Sequence, residues 1–294
     1  MTITRRDLLK KTAVAAAGSA FFLNSPIEAW ANTQQNKSRV VLVRNQQLFK
    51  GDAPDADIAK QMLDQAVSSL TGETDANRAW TSIIKPSDVV GIKSNSWNLL
   101  PTPPVVEQIL KERVLGIGVK ESDISINDKT VIDDPVFQRA TALINVRPMR
   151  THAWSGVGTL IKNYLTFSNN RSSYHDDSCA SLATLYDLPQ VKGKARLHIL
   201  VMFNPVFHHL AANRISEEHM WKYSGILVGF DPVATDSVGL RIIEAKRSEY
   251  FKENTPLNPP AKHIALADTQ YHLGTSDPSK IELVKLGWDV NSFV

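Results

Sequence analysis

Short apolar runs rich in Val and Ile recur along the chain. They predict strands at residues 40–43, 89–93, 124–126, 142–146, 197–201 and 225–230. Between several of them, apolar residues fall at helical spacing. Ile58, Met62, Leu63, Ala66, Val67 and Leu70 predict a helix over 57–70, and Val105, Val106, Ile109 and Leu110 one over 104–114, opened by Pro104. A third helix, over 233–245, follows Asp231-Pro232. This alternation, with near-continuous apolar strands, predicts an α/β fold. The sheet is expected to be mainly parallel and flanked by helices, with a ligand cleft at the carboxyl ends of the strands.

The first 31 residues do not share the alternation. Thr4-Arg5-Arg6-Asp7-Leu8-Leu9-Lys10 precedes an Ala-rich apolar run from Thr12 to Leu23 and an Ala29-Trp30-Ala31 site. This is the order of an export signal. The paired arginines resemble a bacterial twin-arginine signal, which implies the twin-arginine export machinery as a partner and a periplasmic location after folding. The apolar run is about half of what spans a bilayer, so no permanent membrane anchor is expected. Residues 32–38 read as a linker and 39–294 as a single α/β domain.

Composition narrows the classes. Hydrophobic residues make up 43% of the 294 and charged residues 21%, which excludes a mostly disordered chain. The net charge is +3, and two of those charges lie in the first 31 residues, so no nucleic-acid partner is indicated. Cys179 is the single cysteine. The chain therefore forms no disulfide within itself and holds no iron–sulfur cluster.

The predicted strand ends carry the candidate chemistry. Lys93, Ser94 and Asn95 follow the second strand; Arg147, Arg150, Thr151 and His152 follow the fourth; Asp231 follows the last. Gly156 and Gly158 precede a predicted helix start with Lys162 and Asn163 one turn in, an arrangement that suits an anion. The competing reading is an ordinary glycine loop with Lys162 solvated. His175 and Asp176 lie in a second loop. Together with His152 they suit a divalent metal, or a general base oriented by a carboxylate. A third candidate for a metal is His208 and His209 with His219, although adjacent histidines on a strand point to opposite faces and no H-E-x-x-H occurs. Asp231 is equally a helix cap, and Asp236 lies one turn further on. Trp154, between His152 and Gly156, is a candidate wall of the site. No phosphate-binding P-loop and no hydrolase elbow occurs, and Gly116-Ile117-Gly118 lacks the third glycine of a dinucleotide fingerprint.

An ordered set of these segments resembles the bacterial and archaeal family called domain of unknown function 362. The set runs Val90-Gly91-Ile92-Lys93-Ser94-Asn95, Leu143-Ile144-Asn145-Val146 into Arg150-Thr151-His152, Gly158-Thr159-Leu160-Ile161-Lys162-Asn163, Tyr174-His175 and Asp231-Pro232-Val233-Ala234-Thr235-Asp236. It covers roughly residues 85–245. The resemblance implies the α/β fold and the positions of the site. Two departures stand out. The family often has Pro-Lys-x-Lys where this chain has Arg147-Pro148-Met149-Arg150. Arginine keeps the charge but does not serve as a lysine nucleophile. Many relatives also carry Cys-rich cluster segments, absent here, so the electron-transfer role of those relatives is not carried over, while a redox partner protein stays among the expected partners.

The expectation is an exported protein binding an anionic small molecule, with a divalent metal as an open addition and a redox or a hydrolytic reaction both left open. Lys93, Arg150 and Lys162 would hold the anion and Asn95 and Asn163 orient it. His152 and His175 would serve as metal ligands or acid–base groups, with Asp176 or Asp231 as the carboxylate partner. The alternative is a non-catalytic binding or accessory protein for a cofactor-bearing partner.

Overall fold

In β1 (Ser38–Arg44), Val40 and Leu42 point into one apolar layer, while Val41 and Val43 point into another. This period-two split, with both sets buried, places the strand inside a covered sheet. The computed structural model describes residues 37–211 and 213–294. The expected export signal and residues 32–36 of the expected linker lie outside them. Ser38–Val294 is one compact unit, and β1 begins at the last residue of the expected linker.

The other strands of the main sheet are β2 (Val90–Lys93), β3 (Ile124–Asn127), β4 (Ala142–His152), β5 (Gly156–Gly158), β6 (Ala195–Val206), β7 (Gly225–Gly229) and β8 (Ile281–Gly287). Their order is β8-β1-β7-β6-β4-β2-β3, and β5 folds back on β4. The pairs β8–β1, β6–β4, β4–β2 and β2–β3 are parallel. Two features depart from the pattern-based expectation. β7 runs antiparallel to both of its neighbours, β1 and β6. β8 is an edge strand whose partly exposed residues leave no apolar run to read.

Helices α1 (Ala56–Thr71), α2 (Ala76–Ile83) and α3 (Pro104–Ile117) bury their apolar stripes on the face that receives Val41 and Val43. Helices α4 (Pro232–Phe251) and α5 (Lys262–Thr269) cover the opposite face. Their starts follow side-chain chemistry. Asp55 accepts from Ile58 N at 3.0 Å to cap α1, and Asp231 accepts from Val233 N and Ala234 N at 2.8 and 3.0 Å to cap α4, with Pro232 next. The result is a three-layer α/β arrangement with a mixed, mostly parallel sheet.

Candidate functional site

β4 is twice as long as the apolar run that announces it. Arg147, Arg150, Thr151 and His152 therefore lie within the strand and not beyond it. Its pairing with β6 is irregular between Pro148 and Arg150, where proline interrupts the ladder. Arg147 and Arg150 are both buried. Arg147 Nη1 donates to Thr159 O at 3.0 Å, and Arg150 Nη1 donates to Thr151 O at 3.2 Å. The Arg150 guanidinium also lies 3.8 Å above the Trp97 ring. Neither cation has a carboxylate hydrogen-bond partner among the described residues.

Gly158 makes room for this arrangement. A Cβ there would sit 2.5 Å from Arg147 Nη2. Gly156 answers a different need: at φ +72° it lets the backbone pass Pro259 O, which a Cβ would approach to 2.7 Å. Gly156 is a packing glycine, not a ligand contact.

These side chains open on a cleft of about 410 Å³ at the carboxyl ends of β2, β3 and β4. Of the expected residues, Asn95, Arg150, His152, Lys162, Asn163 and His175 line it. So do Trp97, Asn98, Asp128, Lys129, Arg147, Trp154, Leu165, Thr166 and Arg171. Asp128 follows β3 directly, so the strand-end rule applied to that strand finds it. Arg147 belongs to the charged segment after the fourth predicted strand. Arg171 reaches the site by donating to Lys129 O at 3.1 Å, a long-range contact with no sequence signal.

Several of the expected residues do other work. Lys93 is fully buried beneath the cleft, bonded to Asp128 Oδ1 at 2.5 Å and Ser94 O at 2.6 Å. Burial lowers its pKa to about 8, with Asp128 opposing the shift. Burial would raise the Asp128 pKa, but Lys93 and the Ser96 donors outweigh that and hold it below its ordinary value. Thr151 is buried within β4 and does not line the cleft. Asp231 lies at the opposite edge of the sheet, because β7 is antiparallel and its carboxyl end points away. There Asp231 accepts from Ser38 Oγ at 2.7 Å and Thr275 N at 2.9 Å besides its capping bonds.

Asp236 corrects the expected anion site at the Gly158 turn. Its buried carboxylate accepts from Leu160 N at 2.8 Å and Ile161 N at 2.9 Å. The free amides at the start of the Leu160–Asn163 turn are thus satisfied from within. Burial raises the Asp236 pKa to about 7, against the two amides and the Arg147 charge. Asn163 is likewise committed. Its Nδ2 donates to Asn145 Oδ1 at 2.8 Å and to Lys93 O and Val146 O at 3.2 Å, tying the turn to β2 and β4.

Lys162 does face the cleft. Its Nζ donates to Cys179 Sγ at 3.3 Å, and burial lowers its pKa. His152 Nδ1 accepts from Trp154 N at 3.1 Å, which assigns the proton to Nε2. Burial, then Arg150 and Lys162, push the His152 pKa far below the usual imidazole range, so the ring is neutral. The His175 pKa is lowered by burial and Lys162, and Asp176 offsets this in part.

The metal reading fares less well on geometry. The Trp154 ring has centroid distances of 5.8 Å to His152 and 4.5 Å to His175. Among the described residues, no group of three His, Cys, Asp or Glu is arranged to hold a metal ion, and His152, His175 and Asp176 form none. His208 is 3.2 Å from the Arg247 guanidinium, so that histidine group also faces a cation.

The fold and site together define a class: an α/β protein with a cation-lined cleft beyond its parallel strands. Comparison with known families narrows it. The family described as Domain of unknown function (DUF362) matches residues 107–241, from within α3 into α4. The match supports the family that the ordered motifs point to, and it contains every cleft residue except Asn95, Trp97 and Asn98. No curated protein and no solved structure matches the chain.

Proposed function

We infer that this chain is a periplasmic member of that family that binds an anionic small molecule in the cleft. The observation that carries the reading is a set of unsatisfied groups. Arg147 Nη2 and Arg150 Nε are buried without a partner among the described residues, and both residues line the cleft. Leaving such donors buried and unpaired costs about 1–3 kcal/mol each, more for charged groups, and both guanidinium groups lend their positive charge to the cleft they line. Lys129, Lys162 and Arg171 line the same cleft, against the carboxylate of Asp128, which Lys93 already engages. That donor set favours an anion over a divalent cation. The neutral His152 adds an Nε2–H donor beside it.

Isothermal titration calorimetry of the full chain with phosphate, sulfate and citrate tests the reading. Arg147→Met and Arg150→Met are each expected to weaken binding about 10- to 100-fold, the worth of one charged hydrogen bond. Absence of heat for all three anions at about 10 mM, weaker than any affinity a built site would show, overturns it. Export rests on Arg5 and Arg6. Replacing both by Lys is expected to leave the chain in the cytoplasm on fractionation, and unaltered periplasmic recovery would refute the twin-arginine route.

A further inference from the structure

A loop that borders the cleft on one side borders a second cavity on the other. The chain from Asn95 to Thr102 closes into a loop: Thr102 N donates to Asn95 O at 2.8 Å, and Asn95 N donates to Thr102 Oγ1 at 3.1 Å. Its tip turns Trp97 and Asn98 to the cleft and Leu99 to a second cavity of about 700 Å³. That volume is in the range of small-molecule sites. Phe49, Met220 and Trp221 supply apolar and aromatic wall, and Asn204 closes it near the end of β6.

Register places the two compartments side by side. Arg150 on β4 pairs with Val206 on β6, and Asn204 lies two residues back, in the irregular stretch of β6 where Val201 to Val206 run opposite Pro148 to Arg150. The charge changes sign between the two compartments. The cleft is cationic, whereas the second cavity carries Asp52 and Glu217. The cation in its lining, Lys222, is held by Gly51 O at 2.7 Å and Asp52 Oδ1 at 3.0 Å. Trp221 Nε1 is buried with no partner among the described residues.

We propose that the second cavity receives the uncharged, apolar body of the ligand whose anionic head lies in the cleft. The substrate class is then a soluble amphipathic organic anion, charged at one end and aryl or alkyl at the other. A second negative group at the far end would meet Asp52 and Glu217. The proposal rests on the anion reading of the cleft and adds the body to the head.

Alkylphosphonates separate the two. Titration of the full chain with methylphosphonate reads the head alone; octylphosphonate and 4-phenylbutylphosphonate read head and body. The long probes are expected to bind at least tenfold more tightly, each fully buried methylene being worth about fourfold, and to be displaced by methylphosphonate. Leu99→Asp is expected to remove the gain of the long probes and leave methylphosphonate binding unchanged. Trp221→Ala does the same by deleting wall on the other side, and serves if the loop variant fails to fold. Equal affinity for short and long probes overturns the proposal while the anion reading stands. So does a gain that survives both substitutions, or octylphosphonate binding that methylphosphonate does not displace. Failure of methylphosphonate itself to bind overturns the anion reading, and this proposal with it.

Discussion

Gly158 and Gly156 lie two residues apart and have opposite sensitivities. At Gly158 the atom in the way is the end of a flexible arginine. Gly158→Ala is therefore expected to cost less than about 1 kcal/mol of stability, since Arg147 can swing aside. The same swing removes a cleft donor, so anion affinity should fall about tenfold in calorimetry. At Gly156 the obstacle is backbone, and φ is positive. Gly156→Ala should cost about 1–3 kcal/mol in urea unfolding. Asp236 gives a residue-scale prediction with a pH signature. Its folded pKa of about 7 exceeds the ordinary 3.8. The native state thus holds the proton more tightly, and the contribution to stability is full below pH 3.8 and is lost as pH rises to about 7. Asp236→Asn removes that titration and leaves one amide of the Leu160–Asn163 turn facing an NH2 donor. It should cost about 1–3 kcal/mol, and the gap to the native chain should widen as pH falls through that window. A constant gap would rule out the raised pKa.

The elements show what a single sequence reveals and what it hides. The strands β1, β2, β3, β4, β6 and β7 and the helices α1, α3 and α4 announce themselves through apolar period and caps, because most of the sheet is covered on both faces. Direction is not written in period. A fully buried run reads the same in parallel and antiparallel strands, as Ile226, Leu227 and Val228 of β7 do, so the strand-end rule puts Asp231 at the wrong edge of the sheet. The apolar run of β4 stops short of the strand because Arg147, Pro148 and Arg150 break it while remaining in the ladder. Side chains such as Asp236 and Asn163, expected to meet a ligand, instead satisfy backbone amides and carbonyls that only the folded chain brings near. The edge assignment gives its own test. Asp231→Ala removes a cap and two long-range bonds, and should cost about 2 kcal/mol while leaving anion affinity unchanged. Loss of affinity in a folded variant would place Asp231 at the cleft after all.

At the scale of the molecule, a chain with a net charge of only +3 concentrates positive charge in one cleft. Anion binding is expected to weaken as ionic strength rises, because Lys129 and Arg171 are exposed and screened. The part that persists at high salt measures the buried pair Arg147 and Arg150, whose mutual repulsion helps lower the Arg150 pKa. A salt-independent affinity would locate the ligand away from the exposed cations.

The carbonyl-held guanidinium groups have a consequence beyond recognition. Thr159 O and Thr151 O orient Arg147 and Arg150 but neutralise neither. Two like charges buried side by side make the folded state the poorer until an acceptor joins them. An anion that binds only this state shifts the folding equilibrium by mass action, by about 2.7 kcal/mol at a hundred times its dissociation constant. The ligand is then part of what keeps the chain folded, and a cell poor in that anion would hold less intact protein without any change in its synthesis.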